Sequence, residues 1–330
     1  MDSFQIAEDV FGIELTTPFA VGPVNVYLIK KEKELLLVDA GVNTETAWQE
    51  LTKGLQQFGW APECITAIFL THHHPDHTGL VSRMPHCPLY AHPKAVPWLT
   101  RDEAFFERYE AYFRHKAKEM GVPADLIHYI PAVNDYVKFS GARPIVQTVT
   151  PKDRLPHFED WGIMETLGHA QSHYSLLREA DGLFVAGDAI LERVTSNALM
   201  EPPFQEGEPA PRPLIQYRET LQKSMALPIR QVLPGHGKPF EFTTSLISRK
   251  LRGQERRRAT ILSMISDEGA TTFELAKHYF PDVYLSQMDL VLSEIQGHLE
   301  WLEADGMIRG KRTEEAVIRY FVNQHVFKKG

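Results

Sequence analysis

The stretch Thr71 to Thr78, THHHPDHT, sets four histidines and an aspartate within six consecutive positions. Imidazole and carboxylate together are ligands for divalent ions, and three further apolar runs end in glycine followed by such a side chain: TLGH at His169, AGD at Asp188 and PGH at His236. Any one of these endings alone reads as an ordinary polar loop, but four together point to a metal site. Alternate side chains share a face in an extended segment, so His72 and His74 can reach one ion while His73 points elsewhere. Pro75 breaks the strand and displaces Asp76 and His77 sideways, toward a second ion. His169 then fills the first site, His236 the second, and the two oxygens of Asp188 bridge them. Donors without thiolate suit two divalent ions, with zinc expected and iron or manganese admitted by the same donors.

The chemistry such a pair supports is hydrolysis. Water held between two divalent ions ~3.5–4 Å apart loses a proton near neutral pH, while the ions polarise a carbonyl or phosphoryl oxygen. Asp76 can carry the proton to the leaving group. No G-x-S-x-G elbow is present, and Cys64 and Cys87 are too few for a disulfide framework and lack C-x-x-C spacing. They are expected to be inert, partly buried thiols.

The elements that must carry these residues follow from periodicity. Val24–Ile29 and Leu35–Asp39 read as a hairpin about the charged KKEKE turn, and Thr44 caps a helix running to about Phe58 on Trp48, Leu51 and Leu55. Ile65–Leu70 is a buried strand delivering the histidines, followed by a short helix from His77 to Arg83 and a strand at Pro88–Ala91. Residues 95–118 read as helix, and their aromatics, including Phe105, Phe106, Tyr109, Tyr112 and Phe113, form either a lid or, preferably, a packed excursion. Further strands are expected at Ile145–Val149, Ile163–Thr166, Leu183–Ala186 and Gln231–Leu233. Beyond Asp188, Arg193, Ser196 and Asn197 either line the pocket or hold their loop together.

The run HHHPDH fits the H-x-H-x-D-H signature of the metallo-β-lactamase superfamily, and Asp39, His169, Asp188 and His236 follow in the order of its further motifs. The chain thus resembles that superfamily over roughly residues 10–240, most nearly its hydroxyacylglutathione-hydrolase-like branch. The resemblance implies an α/β fold, an αββα sandwich with metals at one edge. It assigns His72, His74 and His169 to one metal and Asp76, His77 and His236 to the other, with Asp188 bridging and Asp39 orienting the metal loop without being a ligand. The chain departs from the family at TLGHAQSH, where T-P-G-H-T-x-G-H is usual. His169 and His173 are retained, and His173 reads either as a residue behind the ligands or in the pocket, or as a solvent-facing loop histidine.

From about Phe242 the character changes. RKLRGQERRR, Arg249 to Arg258, reads as a basic linker or helix start. Ile261, Leu262 and Ile265 then begin a helical face, Thr272 caps a short helix, and Met288, Val291, Ile295, Leu299 and Leu302 share one face of a longer helix. Two strands follow, and three helices and a hairpin in this order resemble a winged helix. The expected division is therefore a catalytic domain over residues 1–243 and a smaller winged-helix-like domain over 244–330.

Charge separates the remaining classes. The net charge is −8, of which residues 244–330 contribute +1 and the rest −9. A polyanion partner needs a net basic surface, so a small-molecule ester, thioester or lactone is preferred over RNA as substrate, and specific nucleic-acid binding is not expected. The alternative is an endoribonuclease that holds RNA with the tail. No apolar run approaches the ~20 residues of a membrane span and the start lacks a basic leader, so a cytoplasmic protein without a membrane partner is expected. Self-association through the tail is admissible.

Overall fold

The structure, a computed structural model, describes residues 2–323. Met1 and residues 324–330 of the expected C-terminal unit lie outside the described residues. Strands β1 (Ser3–Ala7), β2 (Val10–Leu15), β3 (Val24–Lys31), β4 (Glu34–Val38), β5 (Ala67–Phe69), β6 (Leu89–Ala91) and β7 (Gln147–Thr148) form one sheet in sequential order. It is antiparallel through β4 and parallel from there to β7. The second sheet comprises β8 (Trp161–Glu165), β9 (Tyr174–Arg178), β10 (Leu183–Gly187), β11 (Gln231–Pro234) and β12 (Phe240–Glu241), with β10 and β11 parallel.

Alternation along the strands explains the layering. In β3, Val26 and Leu28 face one core while Tyr27 and Ile29 face another, and in β4 Leu35 and Leu37 alternate likewise with Leu36 and Val38. These strands are buried on both faces, which is why they read as continuous apolar runs. The Tyr27 face meets Trp161, Ile163, Leu176 and Val185 of the second sheet, so one core lies between the sheets. The opposite face is covered by Ala47, Leu51 and Leu55 of helix α1 (Glu45–Gln57), whose first turn is capped by the Thr44 hydroxyl accepting from the Ala47 amide. The short helix α2 (Pro75–Thr78) lies between β5 and β6, and α3 (Val96–Thr100), α4 (Glu103–Glu119) and α5 (Val133–Val137) occupy the connection from β6 to β7. Helix α6 (Pro213–Ser224) covers the outer face of the second sheet, where Leu214, Tyr217 and Leu221 meet Phe184 and Val232. The order is helix, sheet, sheet, helix.

The C-terminal elements are α7 (Thr244–Ser263), α8 (Thr272–Tyr279), α9 (Met288–Ala304) and the hairpin β13 (Ile308–Arg312) and β14 (Ile318–Val322). They dock on the body at two places. Ala117, Met120 and Val122 at the end of α4 join Phe273, Ile295 and Leu299 in one core, while Leu246, Ile247 and Trp301 enter the core outside the second sheet. Trp301 lies under two guanidinium groups, Arg218 at 3.7 Å and Arg258 at 4.1 Å from its ring.

Several expectations change here. Arg249–Arg258 is mid-helix, because Leu246, Ile247, Lys250, Gln254 and Ile261 recur at helical spacing on a buried face. Thr271, one residue earlier than expected, caps α8 in a capping box with Glu274. The 95–118 stretch breaks at Arg101, which adopts a left-handed φ of 61°. Its aromatics are packed: Phe105, Phe106 and Tyr109 surround Trp98, and Tyr112 and Phe113 join the C-terminal core. Strands β1, β2, β9 and β12 were not anticipated, and the strand expected at 145–149 shortens to two residues. Cys64 is exposed rather than partly buried, whereas Cys87 is buried; both are free thiols. Among the described residues no helix is long and apolar enough to cross a membrane.

Candidate metal centre

The strand ends deliver the predicted donors to one place. Three groups gather within 4.8 Å: His72, His74 and His169; His72, His77 and Asp188; and Asp76, His77 and His236. His74 Nδ1 lies 2.9 Å from both His72 Nε2 and His169 Nε2, so three ring nitrogens converge on one point. Asp188 stands between the groups, its Oδ1 3.6 Å from His77 Nε2 and its Oδ2 3.5 Å from both His169 Nε2 and His236 Nε2. Asp76 Oδ2 approaches His236 Nε2 at 3.2 Å. The first sheet contributes His72–His77 after β5; the second contributes the β8–β9 loop, the end of β10 and the end of β11.

What lies behind each ring fixes its tautomer. His77 donates from Nδ1 to Asp39 Oδ2 at 2.7 Å, His169 from Nδ1 to the Asn197 carbonyl at 2.8 Å, and His236 from Nδ1 to the Pro23 carbonyl at 2.7 Å. Thr71 gives its hydroxyl proton to Asp39 and accepts from His72 Nδ1 at 3.0 Å. All four rings therefore turn an Nε2 lone pair toward the centre, as metal-ligating histidines do. Asp39 also takes the Thr71 amide, and it sits at a φ of +63°, an unfavourable backbone state for a residue with a Cβ. Its carboxylate is not among the converging donor groups.

The electrostatics favour cations here. Burial and the neighbouring imidazoles hold His72 and His74 well below the ordinary 6.5, leaving their lone pairs unprotonated. Burial also opposes charge on His77, but Asp39, Asp76 and Asp188 overcome it and raise that ring to about 10. A metal cation meets the same demand for positive charge. His77 Nε2 and Asp188 Oδ1 are moreover buried without a hydrogen-bond partner. An orphaned nitrogen and an orphaned carboxylate oxygen facing each other are what a donor set for divalent ions looks like, and the residues fit that group.

The remaining candidates fall outside the converging set. His73 turns away, bonding Ser172 Oγ through Nδ1 at 2.7 Å and stacking on Trp98 with ring centres 4.4 Å apart. His173 is fully buried rather than solvent-facing: its Nε2 accepts the Asp188 amide at 3.1 Å and its Nδ1 bonds Thr166, so it supports the Asp188 backbone. Asn197 acts through its carbonyl, and Ser196 Oγ also reaches His169 Nδ1 at 2.8 Å; both hold the His169 ring rather than line a pocket. Arg193 falls in a separate depression with Arg249, Lys250 and Arg256.

Sequence reasoning missed Glu201, a buried carboxyl beneath the His169 loop that accepts the Gln171 amide at 2.7 Å. Burial raises it from 4.5 to about 7. Because the folded-state value lies above the unfolded one, the protonated form stabilises the fold. That contribution is complete below about pH 4.5 and is lost as pH rises through about 7, roughly 3 kcal/mol in all. Glu201→Gln is expected to remove this loss, so the variant's melting temperature gains on wild type from pH 5.5 to 8. A constant difference across that range would refute it.

Comparison with known proteins identifies relatives of the whole chain. The family model described as "Metallo-beta-lactamase superfamily" matches residues 20–236. The probable metallo-hydrolase YqjP of Bacillus subtilis (strain 168) is 32% identical over 323 residues, 98% of each chain. The probable metallo-hydrolase YflN of the same organism is 28% identical over 72% of this chain and 87% of its own. The metallo-beta-lactamase family protein TTHA1429 of Thermus thermophilus superposes with a TM-score of 0.80 at 24% identity, covering 96% of this chain and 99% of its own. This structural likeness speaks for the fold.

Proposed function

The chain belongs to the metallo-beta-lactamase superfamily, and from that premise we propose a hydrolase that uses two divalent metal ions, zinc by preference, on a small ester, thioester or lactone. The observation that carries the reading is the pair of orphaned atoms, His77 Nε2 and Asp188 Oδ1, within a ring of inward-turned imidazoles. His72, His74 and His169 would hold one ion, Asp76, His77 and His236 the other, and Asp188 both. Ions bound there supply an acidified water and polarise the substrate's carbonyl. Asp76 keeps Oδ2 on His236 and turns Oδ1 toward His77 Nε2 at 3.9 Å. Oδ1 is the oxygen through which we assign proton delivery to the leaving group.

Two observations favour this substrate class over RNA. Arg257 pairs with Glu294 and Arg258 with Asp305, so two of the three consecutive arginines are committed to holding α7 against α9. Helix α9 is itself enclosed, with Met288, Val291, Leu292, Ile295, Leu299 and Leu302 buried, and offers poor access to a nucleic-acid groove. We read α7–α9 and the hairpin as a winged-helix-like unit whose work is structural, in a cytoplasmic protein.

Elemental analysis of gently purified protein is expected to give about two transition-metal ions per chain. A panel of thioesters, lactones, phosphodiesters and single-stranded RNA on that material tests the substrate class. Near-zero metal after reconstitution with zinc, iron and manganese would sink the metal reading. Turnover of RNA alone would sink the substrate reading.

A further inference from the structure

We propose that the depression between α7 and the 192–195 loop is a binding site for a compact phosphate group, separate from the metal centre and independent of the hydrolytic reading. The depression holds about 510 Å³ and is walled by Arg193, Arg249, Lys250 and Arg256 against one carboxylate, Glu192. None of the metal-type donors lines it.

Three independent features shape it. Arg249 and Arg256 stand two turns apart on one face of α7, both exposed, and no ion pair among the described residues engages them or Arg193. Crowding unpaired cations is unfavourable unless an anion joins them. Lys250, by contrast, is buried; its ammonium donates to the carbonyls of Val194 at 2.6 Å and Glu192 at 3.4 Å, joining the loop to the helix. Burial, then Arg249, lowers it to about 8, and the single carboxylate of Glu192 offsets this only in part.

The third feature is Gly253, between the two arginines in a helix of 20 residues. Glycine inside a helix costs about 1 kcal/mol relative to alanine. No packing demands it, since a Cβ there would meet only Arg256 Nη2, at 3.9 Å. Its effect is to leave the floor of the depression open. The ligand is compact because the cations converge on one concavity, while the body outside the C-terminal elements carries −9 and repels a long polyanion. A phosphate or phosphomonoester, chelated by two or three guanidinium groups, fits.

The test is calorimetric titration of the metal-loaded full-length chain with pyrophosphate and with AMP, in wild type, in Arg249→Ala/Arg256→Ala and in Gly253→Leu. Binding at the metals is common to all three, so differences belong to the depression. Both variants are expected to lose about tenfold or more in affinity. Gly253→Leu should do so with every cation in place and an equal or higher melting temperature. The AMP arm separates a phosphate carried on a larger molecule from a free anion, and preferential loss of either supports the site. Unchanged titrations in both variants would overturn it. So would tighter binding of a single-stranded RNA than of pyrophosphate with a steep salt slope, which would make this a polyanion surface.

Discussion

Asp188→Ala is expected to abolish hydrolysis and strip metal from the protein, while His73→Ala, at the heart of the histidine run, leaves the reaction running. Asp188 reaches three imidazole nitrogens at 3.5–3.6 Å and is the carboxylate placed between both donor groups. On the proposed two-ion reading, its loss removes a negative charge that would offset the dications and the carboxylate that stands between the two donor groups. The penalty to the reaction is roughly a thousandfold or more, equivalent to about 4 kcal/mol. His74→Ala should match it, because His74 Nδ1 is the nitrogen on which His72 and His169 converge. His73→Ala surrenders its bond to Ser172 and its stacking on Trp98, a stability cost of roughly 1–3 kcal/mol. Rates, metal content and circular dichroism on the three variants decide the matter. If folded His73→Ala is as dead as His74→Ala, the assignment of faces is wrong.

Gly235→Ala should reproduce the Asp188 phenotype without touching a donor. A Cβ at Gly235 would lie 2.2 Å from Asp188 Oδ1 and 2.9 Å from His77 Cε1, so a methyl group would occupy the space between the two orphaned atoms. Neither neighbour can yield cheaply. His77 is held from behind by Asp39, and the Gly235 backbone is tied to Gly187 at 2.7 Å through its amide and to Asn25 at 2.7 Å through its carbonyl. The expected outcome is loss of most bound metal, activity reduced at least a hundredfold, and a stability cost of about 1–3 kcal/mol from overpacking. Gly237→Ala is the control: its φ is +84° but a Cβ there meets nothing within 4 Å. It should lose about 1 kcal/mol from backbone strain and keep its metal. Normal metal and rate in Gly235→Ala would show that Asp188 and His77 do not face each other across an ion.

What could be read from the chain alone was what local spacing controls. The two-residue alternation at the exit of β5 separates His72 and His74 from His73, and apolar runs ending in glycine mark where the second sheet gives up His169, Asp188 and His236. Less legible were roles played by backbone. The Asn197 carbonyl and the Pro23 carbonyl orient His169 and His236, and a carbonyl has no residue signature. Arg193 sits close to Asp188 in sequence, yet the chain carries it to α7 instead, a consequence of Lys250 gripping the Glu192 and Val194 carbonyls. Charge concealed α7: six basic side chains between Arg249 and Arg258 mask a buried stripe that runs past them in both directions. Strand β9 was hidden because Tyr174 follows directly on the histidine loop, where turn chemistry dominates the reading.

The donors' division between the two sheets bears on how the protein matures in the cell. As the chain emerges during synthesis, His72, His74, Asp76 and His77 appear first, His169 and Asp188 much later, and His236 last, with Asn25 and Tyr27 of β3 waiting to receive the Pro234 carbonyl at 3.0 and 2.7 Å. A nascent chain halted before β11 therefore displays a naked run of imidazoles that can scavenge an ion but cannot complete the pair. On the two-ion reading, the second donor group is complete only once β11 has delivered His236. Ions held as proposed would fasten segments that only long-range folding brings together, and so act as late cross-links that slow the parting of the sheets.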